Sequence, residues 1–381
     1  MQRFVVTLLA ILASASPGNA APAPAPVPDA IPIAMLVDLS SGQVLFARNA
    51  DRRFVPASIA KAMTVYAAFD LMERGKLKPE QVFTFSETTA RDWRRTGSTM
   101  FLEPGQAVSV HELLMGITTV SANDGSVVLG EGVAGSLEGW VAVMNGKARA
   151  LGMTQTHFGN PNGFPDGART FTTARDLVTL GRALTTEHAP LYRRYFGHRG
   201  LRTNGFAQDN HDPLSGVVDG ADGIKTGFTA QAGFGFLGSA IRGDRRLVMV
   251  VAGAPEESLR DETARALMEW GFSGFRSAAL FAAGERVAAA RVQDGEAAEV
   301  ALATPQAVRF SVPVGTAGKV SLSVVYDGPL RAPVAKGETV AELVISAAGM
   351  PPSRVPLVAA ESVAKAGFLR RIANGLRGLV E

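Results

Sequence analysis

The sequence predicts an α+β fold divided into a larger domain and a smaller, β-rich one. Strand-like runs stand at both ends of the first 275 residues with a helical middle between them, and beyond Arg276 the texture changes to short alternating segments. At 381 residues the chain is long enough to fill more than one core. Hydrophobic residues make up 46% and charged residues 19%, which excludes general disorder. A formal net charge of +3 gives no strong basic field, so nucleic acid is not an expected partner. There is no cysteine, which excludes disulfides, thiolate metal sites and a cysteine nucleophile together.

The elements follow in order. Arg3, the apolar run 4–12 and the small residues Gly18, Asn19 and Ala20 read as an export signal over 1–20, cut before Ala21. The run is shorter than the roughly 20 residues a membrane-spanning helix needs. Residues 21–29, rich in Ala and Pro, read as a flexible or extended linker. Segments 33–37 and 43–47 flank Ser40-Ser41-Gly42 as a hairpin. A helix is expected over 58–73, stopped by Gly75, and further helical stretches over 111–116, 126–133 and 137–151. Another opens near Thr172, where hydroxyls can cap and Asp176 falls in the first turn. Strands over 223–227, 234–241 and 247–251 and a helix over 258–270 complete a first domain, 30–275, whose sheet draws strands from both ends.

Residues 276–358 read as a small β-domain with Asp-Gly, Gly-Glu and Pro-containing turns. Over 359–381 a helical wheel places Phe368, Leu369, Ile372, Leu376, Leu379 and Val380 opposite Arg370, Arg371, Asn374 and Arg377. Such a helix can lie in a membrane interface with its arginines at anionic headgroups. Docking on the chain's own β-domain is the alternative, and Gly367, Gly375 and Gly378 weaken the helix. Its basic, C-terminal character favours the membrane surface.

Three short elements carry the chemistry. Ser58-Ile59-Ala60-Lys61 puts a hydroxyl and an amine three residues apart at a helix start, where i and i+3 share a face. A serine hydroxyl needs a base to take its proton, and lysine serves only when its pKa is lowered by burial or nearby positive charge. The spacing alone is weak, since about one chance match is expected in a chain of this length. Ser362-Val363-Ala364-Lys365 fits it too, far from any partner motif. Ser121-Ala122-Asn123 is the only Ser-x-Asn and Lys225-Thr226-Gly227 the only Lys-Thr-Gly. The first can set a second hydroxyl and an amide beside the nucleophile. The second, on a strand edge, offers a fixed cation and a hydroxyl to a carboxylate, with Gly227 allowing close approach of a substrate backbone.

Together these elements resemble the motif set of penicillin-binding proteins and class A β-lactamases. The sequence is similar to the low-molecular-mass penicillin-binding proteins of the D-alanyl-D-alanine carboxypeptidase type, the S11 serine peptidases. Further matching segments are Gly97-Ser98-Thr99-Met100-Phe101, Met144-Asn145-Gly146-Lys147-Ala148, Asn160-Pro161-Asn162-Gly163 and Trp270-Gly271-Phe272. The likeness is strong over 30–275 and weaker in the β-rich tail.

The resemblance implies a transpeptidase-like domain, an antiparallel sheet with helices on both sides plus a helical cluster, followed by a small all-β domain and a C-terminal amphipathic helix. It implies that Ser58 attacks the D-Ala-D-Ala carbonyl of peptidoglycan pentapeptide stems, with Lys61 as base and Ser121 as proton relay. Asn123 would position the substrate, Lys225, Thr226 and Gly227 would meet its terminal carboxylate, and the amides of Ser58 and Phe228 would form the oxyanion hole. Relatives often carry His at the Phe228 position. An Arg before an Asn-Gly pair binds the carboxylate in some relatives; here Thr203 holds that slot with Arg202 one place away, which makes Arg202 a candidate. β-Lactams would be covalent inhibitors. The protein would be exported to the periplasm and attached to the outer face of the inner membrane. Neither metal nor cofactor is implied.

Rival readings are limited by particular residues. Class A β-lactamases use the Glu of a Glu-x-x-Asn element for deacylation; Glu131, Glu138 and Glu187 lack that Asn. The five histidines, 111, 157, 188, 198 and 211, lack the spacing of a zinc peptidase. Endopeptidase action on cross-linked peptides shares the acyl-enzyme chemistry, and a non-catalytic wall-binding protein would be betrayed by a lost motif residue.

Overall fold

The computed structural model describes residues 2–11, 23–314, 319–347 and 352–367. It comprises two compact units, one of Ala25–Leu39 with Val44–Phe272, the other of residues 273 onward with the N-terminal strand and Ser40–Gln43.

After β1 (Gln2–Ile11), which belongs to the smaller unit, come β2 (Ile33–Asp38) and β3 (Gln43–Arg48). A 3-10 turn at Ala57–Ala60 leads directly into α1 (Lys61–Glu73). A helical region follows: α2 (Glu87–Trp93), α3 (Val110–Thr119), α4 (Asn123–Ala134), α5 (Leu137–Ala150), α6 (Ala174–Thr186) and α7 (Ala189–Tyr195). It carries a small ribbon of β4 (Val82–Thr84) and β5 (Ala107–Ser109), and a second of β6 (Gly200–Thr203) and β7 (Phe206–Asp209) follows it. The chain then returns as β8 (Ala221–Thr229), β9 (Gly233–Arg242) and β10 (Arg245–Ala254), and α8 (Glu257–Ser273) closes the unit.

These strands form a sheet ordered β3-β2-β10-β9-β8, so strands from both ends of the domain meet at the β2–β10 pair as the sequence implies. Both central strands are apolar almost throughout because both faces are covered. Their period of two sends Met35, Val37, Val248 and Val250 into the helical cluster with Leu177, Leu180 and Trp140. Leu36, Leu247, Met249 and Val251 point the other way, onto Ala264, Leu267 and Met268 of α8. Arg245 ties this second layer down. It pairs with fully buried Asp38 at 2.7 Å and donates to the carbonyl of Gly271 at 2.9 Å, near the C-terminus of α8.

The helix starts are written in the sequence. Ser109 and Glu112 form a reciprocal capping box on α3, and the hydroxyls of Ser136 and Thr173 cap α5 and α6. The linker carries no helix or strand over residues 23–28 and is held against the domain. Val27 is buried, and Arg48 donates to the carbonyls of Pro28 and Ile31.

The smaller unit is all β among the described residues. β11 (Phe275–Phe281) pairs with β14 (Val308–Pro313). The remaining strands are β12 (Arg286–Gln293), β13 (Glu299–Ala303), β15 (Lys319–Gly328), β16 (Leu330–Arg331), β17 (Thr339–Ala347) and β18 (Ser353–Ala359). They lie in the order β1-β15-β17-β18-β13-β12-β16. Phe310, Val324, Leu343, Ile345 and Leu357 fill its core.

The apolar run of the export signal lies along β15 as an edge strand, from Gln2 opposite Gly328 to Ile11 opposite Lys319, and Phe4 stacks on Tyr326. Its cut before Ala21 lies outside the described residues. The amphipathic helix expected over 359–381 is absent from its first nine residues. Val363 and Lys365 pair with Val334 and Gly295 as extended chain, because Val363 and Ala366 are buried. The apolar arc from Phe368 to Val380 lies outside the described residues. The same extended course separates Ser362 from Lys365; Ser362 Oγ instead accepts the Lys336 amide at 3.0 Å.

Candidate active site

The site starts from a short turn. Ser58 falls within Ala57–Ala60, and Lys61 opens α1 immediately after it, so the two side chains lie on one face. Lys61 Nζ is 2.7 Å from Ser58 Oγ. The lysine is fully buried, and an N–H of its amine donates to the carbonyl of Asn162 at 2.8 Å. Burial pushes its pKa well below the ordinary lysine value, and the charge of Lys225 pushes the same way while Asp124 opposes. Loss of a proton from this amine, with one N–H kept on Asn162, would leave a lone pair facing the Ser58 hydroxyl. This is the arrangement general-base activation requires.

The carbonyl that holds Lys61 comes from a loop built for the purpose. Asn145 on α5 grips the main chain of Phe158, donating to its carbonyl and accepting its amide, at 2.8 and 2.9 Å. Asn160 Oδ1 accepts the amides of Asn162 and Gly163, and Thr64 on α1 donates to the Pro161 carbonyl at 2.7 Å. Gly163 sits at φ +73°, where a side chain would collide with the Ala57 carbonyl. This loop is the part of the site that sequence reasoning missed. Asn160-Pro161-Asn162-Gly163 was visible as a segment, but its working atom is a main-chain oxygen.

Ser121 and Asn123 stand at the entry to α4. Ser121 takes φ +61°, an uncommon conformation for a residue with a side chain. Its hydroxyl is buried and bonded to neither Ser58 nor Lys61 among the described residues. Asn123 is buried; its amide nitrogen donates to the Thr96 carbonyl and its main-chain N–H to that of Ser98. Asp124 accepts the amides of Met100 and Leu102 at 3.0 and 3.1 Å, fixing the 97–102 segment beside the nucleophile.

Lys225, Thr226 and Gly227 lie on β8, the edge strand of the sheet. Lys225 is buried and donates to the Thr226 carbonyl at 3.0 Å. Burial and then the charge of Arg260 push its pKa down to about 7, with Asp212 opposing. The charge of this amine therefore depends on pH around neutrality. Gly227 has a structural reason as well. A Cβ there would lie 2.6 Å from the Pro56 carbonyl oxygen and 3.0 Å from the Ile59 amide nitrogen, so it is the protein's own backbone that approaches.

A cleft of about 240 Å³ joins these parts, lined by Ser58, Ser98, Ser121, His211, Thr226 and Arg260 among others. Phe228 borders it, half exposed and stacked on Phe234 at 4.1 Å. Arg202 is not brought to it; it lies exposed on the β6–β7 ribbon. The cation at the cleft is Arg260 of α8, held by Glu257 and Asp261. In sequence it reads as one more charge on a charged helix.

A hydroxyl beside a buried, depressed amine, at a helix start and facing a strand edge, defines a serine enzyme of the acyl-transfer class. The comparisons specify which one. Residues 25–256 match the family model of D-alanyl-D-alanine carboxypeptidase, and 275–365 that of the penicillin-binding protein 5 C-terminal domain. The chain belongs to the D-alanyl-D-alanine carboxypeptidase family and is a serine peptidase. It is 34% identical to the D-alanyl-D-alanine carboxypeptidase DacC of Escherichia coli over 343 residues, 89% of this chain and 85% of that protein. With DacF of Bacillus subtilis it shares 31% over 88% of this chain and 86% of that one. The crystal structure of penicillin-binding protein 5 from Haemophilus influenzae superposes with a TM-score of 0.80 at 29% identity, covering 89% of this chain and 99% of that one. Penicillin-binding protein D2 from Listeria monocytogenes, solved in its ampicillin-bound form, aligns at 28% identity and a TM-score of 0.58, covering 64% of this chain and 98% of that one.

The Gly227 contact generates a prediction. Gly227→Ala should force the Ser58 turn and β8 apart and slow acylation by labelled penicillin about 100-fold, as misplacement of reacting groups by about 1 Å can. Stopped-time labelling, with far-UV circular dichroism unchanged, checks this.

Proposed function

We propose that Ser58 attacks the carbonyl between the two D-Ala residues of a peptidoglycan stem pentapeptide. An ester forms on Oγ, the terminal D-Ala leaves, and water hydrolyses the ester. The observation that carries the assignment is the 2.7 Å Ser58–Lys61 contact with its amine buried and depressed. Lys61 Nζ takes the hydroxyl proton and Ser121 passes one to the leaving nitrogen. Asn123 orients the substrate amide. Lys225, Thr226 and Gly227 meet the terminal carboxylate, with Arg260 as the neighbouring cation in place of Arg202. The amides of Ser58 and Phe228 hold the oxyanion.

β-Lactams enter the same reaction and leave slowly. Of the glutamates between Asn123 and Lys225, Glu131 accepts from the Thr89 hydroxyl at 2.6 Å and Glu187 from Tyr66 at 2.9 Å, away from Ser58. Residues 1–20 direct export to the periplasm, and the basic arc beyond Phe368 attaches the protein to the outer face of the inner membrane.

Mass spectrometry of a synthetic pentapeptide ending in D-Ala-D-Ala should show loss of one alanine, and labelled penicillin should stay on the protein but not on Ser58→Ala. No alanine loss together with no labelling would sink the reading.

The depressed Lys225 sets a pH limit. Its carboxylate-binding charge is present below about 7 and lost as the pH rises through that value. kcat/KM for the pentapeptide should therefore fall above about pH 7, and Lys225→Arg, which stays charged, should lack that limb in whatever activity it retains. For export, N-terminal sequencing of the protein from fractionated cells should begin at Ala21, in the membrane fraction; cytoplasmic protein beginning at Met1 would refute it.

A further inference from the structure

Beside the cleft lies a second cavity of about 620 Å³, and the two share Phe228 and Phe234. Its other lining residues include Arg52, Arg53, Phe54 and Gln231, and no carboxylate lines it. Arg53 is partly committed: its Nε donates to Gln155 at 2.9 Å, and its guanidinium lies 4.6 Å over the Phe171 ring. The Arg52 guanidinium is exposed and makes no hydrogen bond or ion pair among the described residues. The nearest acid in sequence, Asp51, is spent on Arg175 at 2.6 Å.

The direction of the substrate follows from β8. With the terminal carboxylate at Lys225 and Thr226 and the scissile carbonyl at the Phe228 amide, the acyl side of the peptide leaves in the direction of Ala230 and Gln231. That is towards the second cavity, and one extended residue covers about 3.4 Å. The residue before the D-Ala pair therefore arrives over the Phe228–Phe234 stack. It meets apolar surface first and then an unopposed positive charge.

We propose that this cavity is the subsite for the residue preceding the D-Ala pair, and that Arg52, assisted by Arg53, binds a carboxylate carried by that residue's side chain. The inference rests on the roles proposed for Ser58 and β8. It names the preferred substrate as a stem peptide whose third residue bears a free side-chain carboxylate, as meso-diaminopimelate does and lysine does not. A guanidinium fork matches a carboxylate, and one charge-assisted pair of this kind is commonly worth about a factor of ten.

The test compares two pentapeptides that differ only in that carboxylate, with meso-diaminopimelate or lysine at the third position. The wild type should show about a tenfold higher kcat/KM for the first, carried by KM, and added salt should shrink the ratio. Arg52→Gln should bring the ratio close to one, and Arg52→Lys should recover part of it. Equal rates in the wild type, or a preference that survives both Arg52→Gln and Arg53→Gln in variants with unchanged thermal transitions, would overturn the subsite. Labelled penicillin separates this from the parent reading. If the wild type neither acylates nor trims either peptide, the assignment of Ser58 has failed; if it acylates and trims without preference, only the subsite has.

Discussion

The contact between Ser58 and Lys61 depends on keeping an amine inside the protein with no carboxylate hydrogen-bonded to it. Removing an ammonium from water costs several kcal/mol, which favours the neutral form of a buried amine. The surroundings of Lys61 push its pKa in that direction. Its stem lies in the interior among the residues of α1, its amine finds a carbonyl and a hydroxyl, and Asp124, the anion that would restore its charge, is occupied by main-chain amides. The loop supplying that carbonyl is held from α1 by Thr64 and from α5 by Asn145, so two helices of the cluster determine where the base can sit.

The same chemistry is turned to another use across the cleft. Lys225 is buried like Lys61 but feels Asp212 as well as Arg260, and its pKa is lowered only to about 7. The two buried amines thus differ in pKa through their neighbours, as the proposed roles of base and carboxylate receptor require. Both positions follow from a sheet whose edge strand β8 runs beside the start of α1.

Much of this was legible in the sequence because local geometry fixed it. The Ser58–Lys61 spacing works on any helical turn, and the unbroken apolar runs 33–37 and 247–251 belong to strands covered on both faces. What escaped was tertiary or main-chain in origin. Asn162 acts through a carbonyl, which leaves no side-chain signature. Arg260 reaches the cleft because α8 crosses behind β9 near Gly235, whose carbonyl it contacts, while the better-placed Arg202 in sequence turns out to solvent. The seven-residue helices α2 and α7 are too short for periodicity to reveal. Residues 360–367 carry a helical-looking pattern but stay extended, because pairing with Val334 and Gly295 buries Val363 and Ala366.

The close approach at Gly227 bears on how such an enzyme can change over time. The backbones of β8 and the Ser58 turn rest directly on each other, so the amide of residue 228 is placed by its neighbour and not by its own side chain. That side chain projects outward, half exposed, onto Phe234. Position 228 can therefore drift between residues as different as histidine and phenylalanine while the hydrogen-bond donor it contributes stays where it is. The main chain and the side chain of residue 228 are thus positioned independently, and selection can act on the second without disturbing the first.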